Sequence, residues 1–387
     1  MKTIRYPFSI CTVYFFIFFG YGCFYPMIGL YLKEKQFSGL EMGILQSIIP
    51  LLLIIFQPMW GILADYSQRP RAILNLTTMV AAGILFLVPM VDQFLWMLIF
   101  FILYSFFISA VGPIVDNLAV NYTRQVGKSF GDYRMWGAVG FALAALLMGE
   151  IGERYSLAYL FYLFAGALIM VSLFSFQLPQ IAHTVRRNMR KEIRVLLQYP
   201  AYIYILLATF CISGPMLSNN NYFGILYQYV GGTVAGVGVC FLIGAGSEAP
   251  FMRIAGSWIQ KYGQRFVLVF AALLSAVRFF TYAFAPPVSW LPWITVLQGF
   301  SIGLFIPASL QFAQQLAPPS VQHTAVALYT AMASGGNCFF LFFGGLLLDY
   351  FPITAVYWFF TCFTLVGVLL ILFINAKTLT PRERIKG

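Results

Sequence analysis

Charge is the first thing this sequence has little of. Lysine and arginine number 23 and aspartate and glutamate 12 among 387 residues, 9% in all, against about 25% in an ordinary soluble domain. So few charges cannot solvate a globule of this length, which excludes a soluble enzyme, a disordered chain and a nucleic-acid-binding domain. Histidine is scarcer still, with only His183 and His323. No H-E-x-x-H and no G-x-x-x-x-G-K-[ST] occurs, so neither a metalloprotease centre nor an ATP-binding loop is encoded. The six cysteines stand singly in apolar stretches without C-x-x-C or metal-ligand spacing, as small hydrophobes do. Neither a metal nor a cofactor is expected, and no surface cluster suits a membrane enzyme.

What the sequence does have is apolar length. Hydrophobic residues make up 61% and the mean hydropathy is +0.84. Twelve runs are long enough to cross a bilayer as helices, approximately 7–32, 40–64, 72–91, 94–122, 132–151, 156–178, 200–229, 233–259, 266–286, 289–315, 322–348 and 352–375. A free amide finds no partner in lipid, and short alternating barrel segments are missing, so the runs read as helices. The first run is too long for a signal-peptide core and lacks a cleavage site, so it is expected to remain as a span. The fold class read here is an all-α polytopic membrane protein.

Lysine and arginine set the orientation. With the N-terminus in the cytoplasm, 17 of them fall in inside segments and 3, Lys33, Lys35 and Arg154, in outside ones. Both termini are then cytoplasmic, which together with the compact loops suits a bacterial cell membrane. The one long polar stretch, Gln180 to Gln198, separates six spans from six and reads as a basic amphipathic linker on the cytoplasmic surface. The expected organisation is a six-helix bundle over residues 1–179, a linker over 180–199 and a second six-helix bundle over 200–387. An offset of 196 carries Tyr66, Gln68 and Arg69 onto Tyr262, Gln264 and Arg265, and Gly140 and Gly149 onto Gly336 and Gly345. Two pseudo-symmetric halves related by duplication follow, the arrangement of alternating-access carriers.

A charge inside a span costs about 2.5–3.5 kcal/mol on insertion scales and so calls for a partner or a wet cavity. Asp116 and Arg134 flank the turn between spans four and five symmetrically, which places both about 13 Å above it. Glu248 and Arg278 flank Gly263 in the same way, about 22 Å up. Opposite charges at one depth in neighbouring helices should pair. Such a pair either serves a solute or locks two helices. Trp136 and Phe141 flank Arg134 and offer rings to an apolar face of a solute. Asn219, Asn220, Asn221 and Tyr222 form a polar run in span seven behind Gly214 and Pro215, a pattern expected of a discontinuous helix lining a site. Tyr21, Tyr25, Gln298 and Asn337 are further polar candidates, each equally able to bond a neighbouring helix. Glu248 is the first candidate to carry a proton, Arg278 its counter-charge, and Asp116 the second candidate.

The loop "GILADYSQRPRA" resembles the signature Gly-x-x-x-Asp-Arg-x-Gly-Arg-Lys/Arg of the major facilitator superfamily, with Gly61, Asp65, Arg69 and Arg71 in register and Tyr66 and Gln68 departing from it. The stretches "YFFIFFGYGCFYPMIGLYLK" and "SFGDYRMWGAVGF" are similar to the first and fifth helices of the lactose permease and phenylpropionate-transporter group. That resemblance implies the major facilitator fold over the whole chain, solute contact at Asp116 and Arg134, and a gating charge relay at Gly61, Asp65, Arg69 and Arg71. It implies a secondary active transporter importing a small organic solute, of the sugar, nucleoside or aromatic acid class, with a proton or sodium ion. The Gly-Pro element of efflux antiporters is missing from the fifth span. Efflux of amphipathic compounds and a non-transporting receptor or scaffold are the alternative readings. The expected partners are the solute, the coupling ion and the bilayer, with the chain a monomer and no nucleic acid involved.

Overall fold

The structure is a computed structural model that describes residues 5–127, 130–178 and 189–374. The helices α1 (Arg5–Glu34), α2 (Gly39–Ser67), α3 (Pro70–Leu87), α4 (Phe94–Ile108), α5 (Val111–Val126), α6 (Gly131–Arg154) and α7 (Tyr159–Ser175) come first. A short α8 (Met189–Leu196) leads to α9 (Pro200–Tyr229), α10 (Val234–Tyr262), α11 (Gln264–Ala283), α12 (Leu291–Leu316), α13 (Gln322–Tyr350) and α14 (Ile353–Phe373). Strands are absent among the described residues. Eleven described helical spans are long and apolar enough to cross a membrane, with α4 and α5 counted as one. The sixth expected span, α7, is 17 residues long. At 1.5 Å per residue that covers about 26 Å, close to the hydrocarbon thickness.

Local chemistry sets where the helices start and stop. Ser38 Oγ accepts from the Glu41 backbone N–H at 3.2 Å, and the Glu41 carboxylate accepts from the Ser38 N–H at 2.9 Å, so a capping box opens α2. The helix closes on Gln68 in the left-handed region (φ 54°), and Pro70 starts α3. Gly263, at φ 83°, makes the equivalent break between α10 and α11. The linker contains the helix α8. Its residues 180–188 lie outside the described residues, as do the terminal cations Lys2, Lys377, Arg382, Arg384 and Lys386.

The chain divides into two compact units, Met1–Val185 with Asn220–Gly246 and Arg186–Asn219 with Ser247–Gly387. In the first, α1 packs against α6 and α7, and α3 packs against α7. Glycine permits the closest of these approaches. A Cβ on Gly140 would collide with the Phe15 carbonyl of α1, and one on Gly22 with the Phe141 carbonyl of α6. The Glu153 carboxylate, at the end of α6, accepts from the N–H groups of Val234 (2.6 Å) and Ala235 (3.3 Å) and caps α10. In the second unit α11 packs against α12 and α14. A Cβ on Gly336 would sit 2.6 Å from the Phe210 carbonyl of α9. Gly140 on Phe15 and Gly336 on Phe210 are the same contact, displaced by 196 and 195 positions. The duplication read from matching loop residues is therefore present in the packing as well.

Two expectations about helix shape need correction. Span seven was expected to be discontinuous at Gly214–Pro215, but α9 is one continuous helix from Pro200 to Tyr229. Gly214 is there for packing, since the Phe340 ring and the Gly336 backbone fill the space a Cβ would need. The helical break falls in span four, where Ser109 and Ala110 separate α4 from α5.

Candidate functional site

Within the first unit, Arg134 Nη1 donates to Asp116 Oδ1 at 3.4 Å, the pair that the symmetric spacing about the α5–α6 turn predicts. Each side chain is 46% exposed, so the charges are neither sealed in packing nor fully solvated. A third partner was not anticipated. Tyr14 of α1, itself buried, donates its hydroxyl to the same carboxylate oxygen at 2.6 Å. The guanidinium lies over the rings of Tyr14 and Phe18, 5.9 and 5.2 Å from their centroids. The chain of rings continues along α1, with Tyr21 5.6 Å from Phe18 and Tyr25 5.6 Å from Tyr21. Positions 14, 18, 21 and 25 repeat at helical spacing and share one face. That periodicity is the sequence signal that joins Tyr14 and Phe18 to Tyr21 and Tyr25.

The two rings expected beside Arg134 part company. Phe141 is seven residues on, about 20° away around the helix, and its half-buried ring meets Phe241 at 6.2 Å. Trp136 is two residues on, about 200° away. It is 46% exposed in a stripe with Val139, Leu143 and Leu147. The structure does not bring it to the charged pair.

In the second unit, Glu248 and Arg278 approach one another without pairing directly. Gln298 of α12 stands between them, accepting from Arg278 Nη1 at 2.8 Å and donating to Glu248 Oε1 at 3.1 Å. The amide dipole thus lies along the field between cation and anion. Depth was legible from the spacing, but the side chain that occupies the gap was not. Arg278 is fully buried, Gln298 nearly so, and Glu248 partly exposed at the open end of the row. Arg278 Nε and Nη2 have no hydrogen-bond partner, and its guanidinium lies 4.8 Å from the Phe279 ring centroid. Gly299 and Gly303 of α12 face Ser247 and the Glu248 carbonyl, where a Cβ would not fit, and this brings α10 and α12 together at the carboxylate. The G-x-x-x-G spacing beside Gln298 is the sequence signal for that approach.

The polar run of α9 divides its roles. Asn219 is buried and accepts from Tyr357 Oη at 3.1 Å, and Ser218 donates to Asn337 Oδ1 at 2.9 Å. Asn220 is half-buried. Asn221 is buried with its amide oxygen unpartnered, and its backbone carbonyl abuts Gly29 of α1, a helix-packing position. A cavity of about 380 Å³ lies elsewhere in the first unit, beside Lys33, Glu34, Tyr155 and Gln228, and holds none of the expected residues. No group of three or more His, Cys, Asp or Glu suited to a metal ion occurs among the described residues.

The loop expected to gate also makes contacts to helix ends. Arg71 Nη1 donates to the Phe176 carbonyl at the end of α7, at 3.4 Å. In the second unit, Arg265 donates to the Leu372 carbonyl at the end of α14. Phe176 and Leu372 are 196 positions apart, so each repeat uses a loop cation to satisfy carbonyls at the end of its last helix. A Cβ on Gly61 would meet nothing within 4 Å, and Arg69 precedes α3 without a side-chain cap. The Asp65 side chain lies outside the described residues.

Known proteins match this architecture along its length. The chain is 39% identical to "Maltose permease" of Geobacillus stearothermophilus over 97% of this chain and 94% of that one. It is 24% identical to "Probable 3-phenylpropionic acid transporter" of Escherichia coli over 89% of this chain and 92% of the other. Among solved structures, a mutant of nucleoside transporter NupG superposes with a TM-score of 0.85 at 16% identity, covering 95% of this chain and 99% of that one. Residues 8–374 match the family described as "MFS_1 like family". The chain belongs to that family: it is a multi-pass membrane transporter of small solutes with the major facilitator fold, not an enzyme.

Proposed function

We propose that the protein imports a sugar of the maltose class together with a proton, by alternating access. The observation that carries this reading is the half-exposed Asp116–Arg134 pair beneath the ring series Tyr14, Phe18, Tyr21 and Tyr25. A sugar presents hydroxyl edges and apolar faces, and the cluster offers a complement to each. A carboxylate accepts from hydroxyls, a guanidinium donates to them, and aromatic rings cover C–H faces. The maltose permease relative supplies the disaccharide class. Phe141, Asn220 and Gln298 border the solute in this reading, and Trp136 and Asn221 do not.

Glu248 carries the proton. When ionised, it holds Gln298 in the orientation that serves Arg278; when protonated, it releases that hold and lets the row rearrange. The moving bodies are the six-helix halves 1–179 and 200–387, joined by the linker 180–199. The chain works as a monomer with both termini in the cytoplasm of a bacterial cell. The loop with Gly61, Asp65, Arg69 and Arg71 gates the cytoplasmic side.

Radiolabelled maltose uptake into cells, with and without a proton ionophore and in sodium-free buffer, tests the reading. Accumulation should survive sodium removal and collapse with the ionophore. Glu248→Gln should abolish accumulation while retaining exchange of labelled for unlabelled sugar. A Glu248→Gln carrier that still concentrated sugar would sink the coupling assignment.

A further inference from the structure

Two helices, α9 and α10, pass from one compact unit into the other. The division falls between Asn219 and Asn220 in α9 and between Gly246 and Ser247 in α10. Each helix carries a proline close to its division, Pro215 four residues before Asn219 in α9 and Pro250 three residues after Ser247 in α10. A proline removes the N–H that would bond the carbonyl four residues back, here those of Cys211 and Gly246. Both helices are therefore weakened against bending where they change units.

The polar row of the second unit reaches both of these places. At one end, Glu248 lies between Gly246 and Pro250 of α10. Gln298 and Arg278 follow, at 3.1 and 2.8 Å. Phe279, which carries the guanidinium at 4.8 Å, packs on Tyr357 of α14 with ring centroids 6.3 Å apart. Tyr357 then donates to Asn219 Oδ1 at 3.1 Å, at the α9 division. One row of side chains, buried except at its Glu248 end, thus joins the two proline-weakened points across α10, α12, α11, α14 and α9.

We propose that Tyr357 and Asn219 are positioning residues for coupled transport, tying Glu248 to the proline-weakened turn of α9 so that the two proline points move together. The chemistry is a choice of partners for one guanidinium. With Glu248 ionised, the Gln298 oxygen is fixed on Arg278. A protonated Glu248 can donate to that oxygen instead, which turns the amide N–H₂ toward the cation and costs the guanidinium its acceptor. The Tyr357 hydroxyl can accept from Arg278 while still donating to Asn219, and so supplies the replacement. This inference rests on the proposed proton role of Glu248, and its test separates the two.

Tyr357→Phe removes one hydroxyl and keeps the ring packing. Asn219→Ala removes the acceptor. Each is assayed for concentrative maltose uptake, for exchange, for KM and for melting temperature in detergent. The expected result is at least a fivefold loss of accumulation, with exchange and KM within twofold of the parent and melting unchanged. The double variant should lose no more than either single one, because both break the same connection. Parent-like accumulation in Tyr357→Phe overturns the inference, as does an equal loss of exchange, or losses that multiply in the double variant. If Tyr357→Phe behaves like the parent while Glu248→Gln fails to accumulate, the inference falls and the proton assignment stands. If Glu248→Gln itself accumulates sugar, the proton assignment falls, and the inference that rests on it falls too, whatever Tyr357→Phe does.

Discussion

At the Asp116 carboxylate two donors converge on one oxygen, the Tyr14 hydroxyl and the Arg134 guanidinium. A hydrogen bond to a charged group is worth about 1.5–3 kcal/mol. Tyr14→Phe should therefore raise the KM for uptake about tenfold, measured as initial rates over a sugar concentration series. Removing Arg134 does more, because it leaves a carboxylate without its counter-charge. Arg134→Gln should abolish uptake under the same assay, whereas Trp136→Leu should leave the KM within twofold of the parent. Loss of uptake in the Trp136 variant would show that the exposed stripe of α6 had been misassigned.

Helix packing is where the repeat becomes physical. Gly140 and Gly336 each let a helix lie on a neighbouring backbone carbonyl, that of Phe15 in one case and Phe210 in the other. Alanine at either position requires those helices to separate, a strain of about 1–3 kcal/mol. Gly140→Ala and Gly336→Ala should both lower the melting temperature in detergent, while Gly83→Ala and Gly166→Ala, with nothing within 4 Å, should not. The carbonyls that loop cations reach, at Phe176 and Leu372, form a second matched set. Arg71→Gln and Arg265→Gln remove charged donors from the carbonyl ends of α7 and α14, an effect of about 0.3–1 kcal/mol each. A drop in melting temperature for both, without loss of exchange, would separate their capping role from gating. Retained stability with lost transport would favour the charge relay.

Topology governs the molecule as a whole. With an N-terminus in the cytoplasm, Asp92 lies on the outer face and Tyr66 on the inner one. In a cysteine-free background, Asp92→Cys should react with a membrane-impermeant maleimide in intact cells. Tyr66→Cys should react only after permeabilisation. The opposite pattern would invert the orientation, and labelling of both in intact cells would contradict a single topology. The carbonyl contacts at Phe176 and Leu372 lie 196 residues apart, so an even number of spans separates them if the halves are parallel copies. The same labelling at those two ends checks the count.

Much of this architecture was legible in one dimension. Lipid withholds hydrogen bonds, so long apolar runs become helices whatever their neighbours, and helix rise converts spacing about a turn into depth. That arithmetic puts Asp116 level with Arg134 and Glu248 level with Arg278 without reference to packing. Depth is a property of one chain segment, but direction around the helix and the occupant of a gap depend on which faces meet. Trp136 turns away from Arg134 because α6 presents Gly137 and Gly140 to α1, and those contacts set its rotation. Gln298 separates Glu248 from Arg278 because Gly299 and Gly303 draw α10 against α12, a closeness between segments some fifty positions apart. Tyr14 reaches Asp116 from over a hundred positions away, and α9 runs unbroken through Gly214–Pro215 with α13 filling the space beside it. Solvent exclusion acts on each segment alone and leaves its mark in composition. Side-chain partnership is settled between segments, and only their packing reveals it.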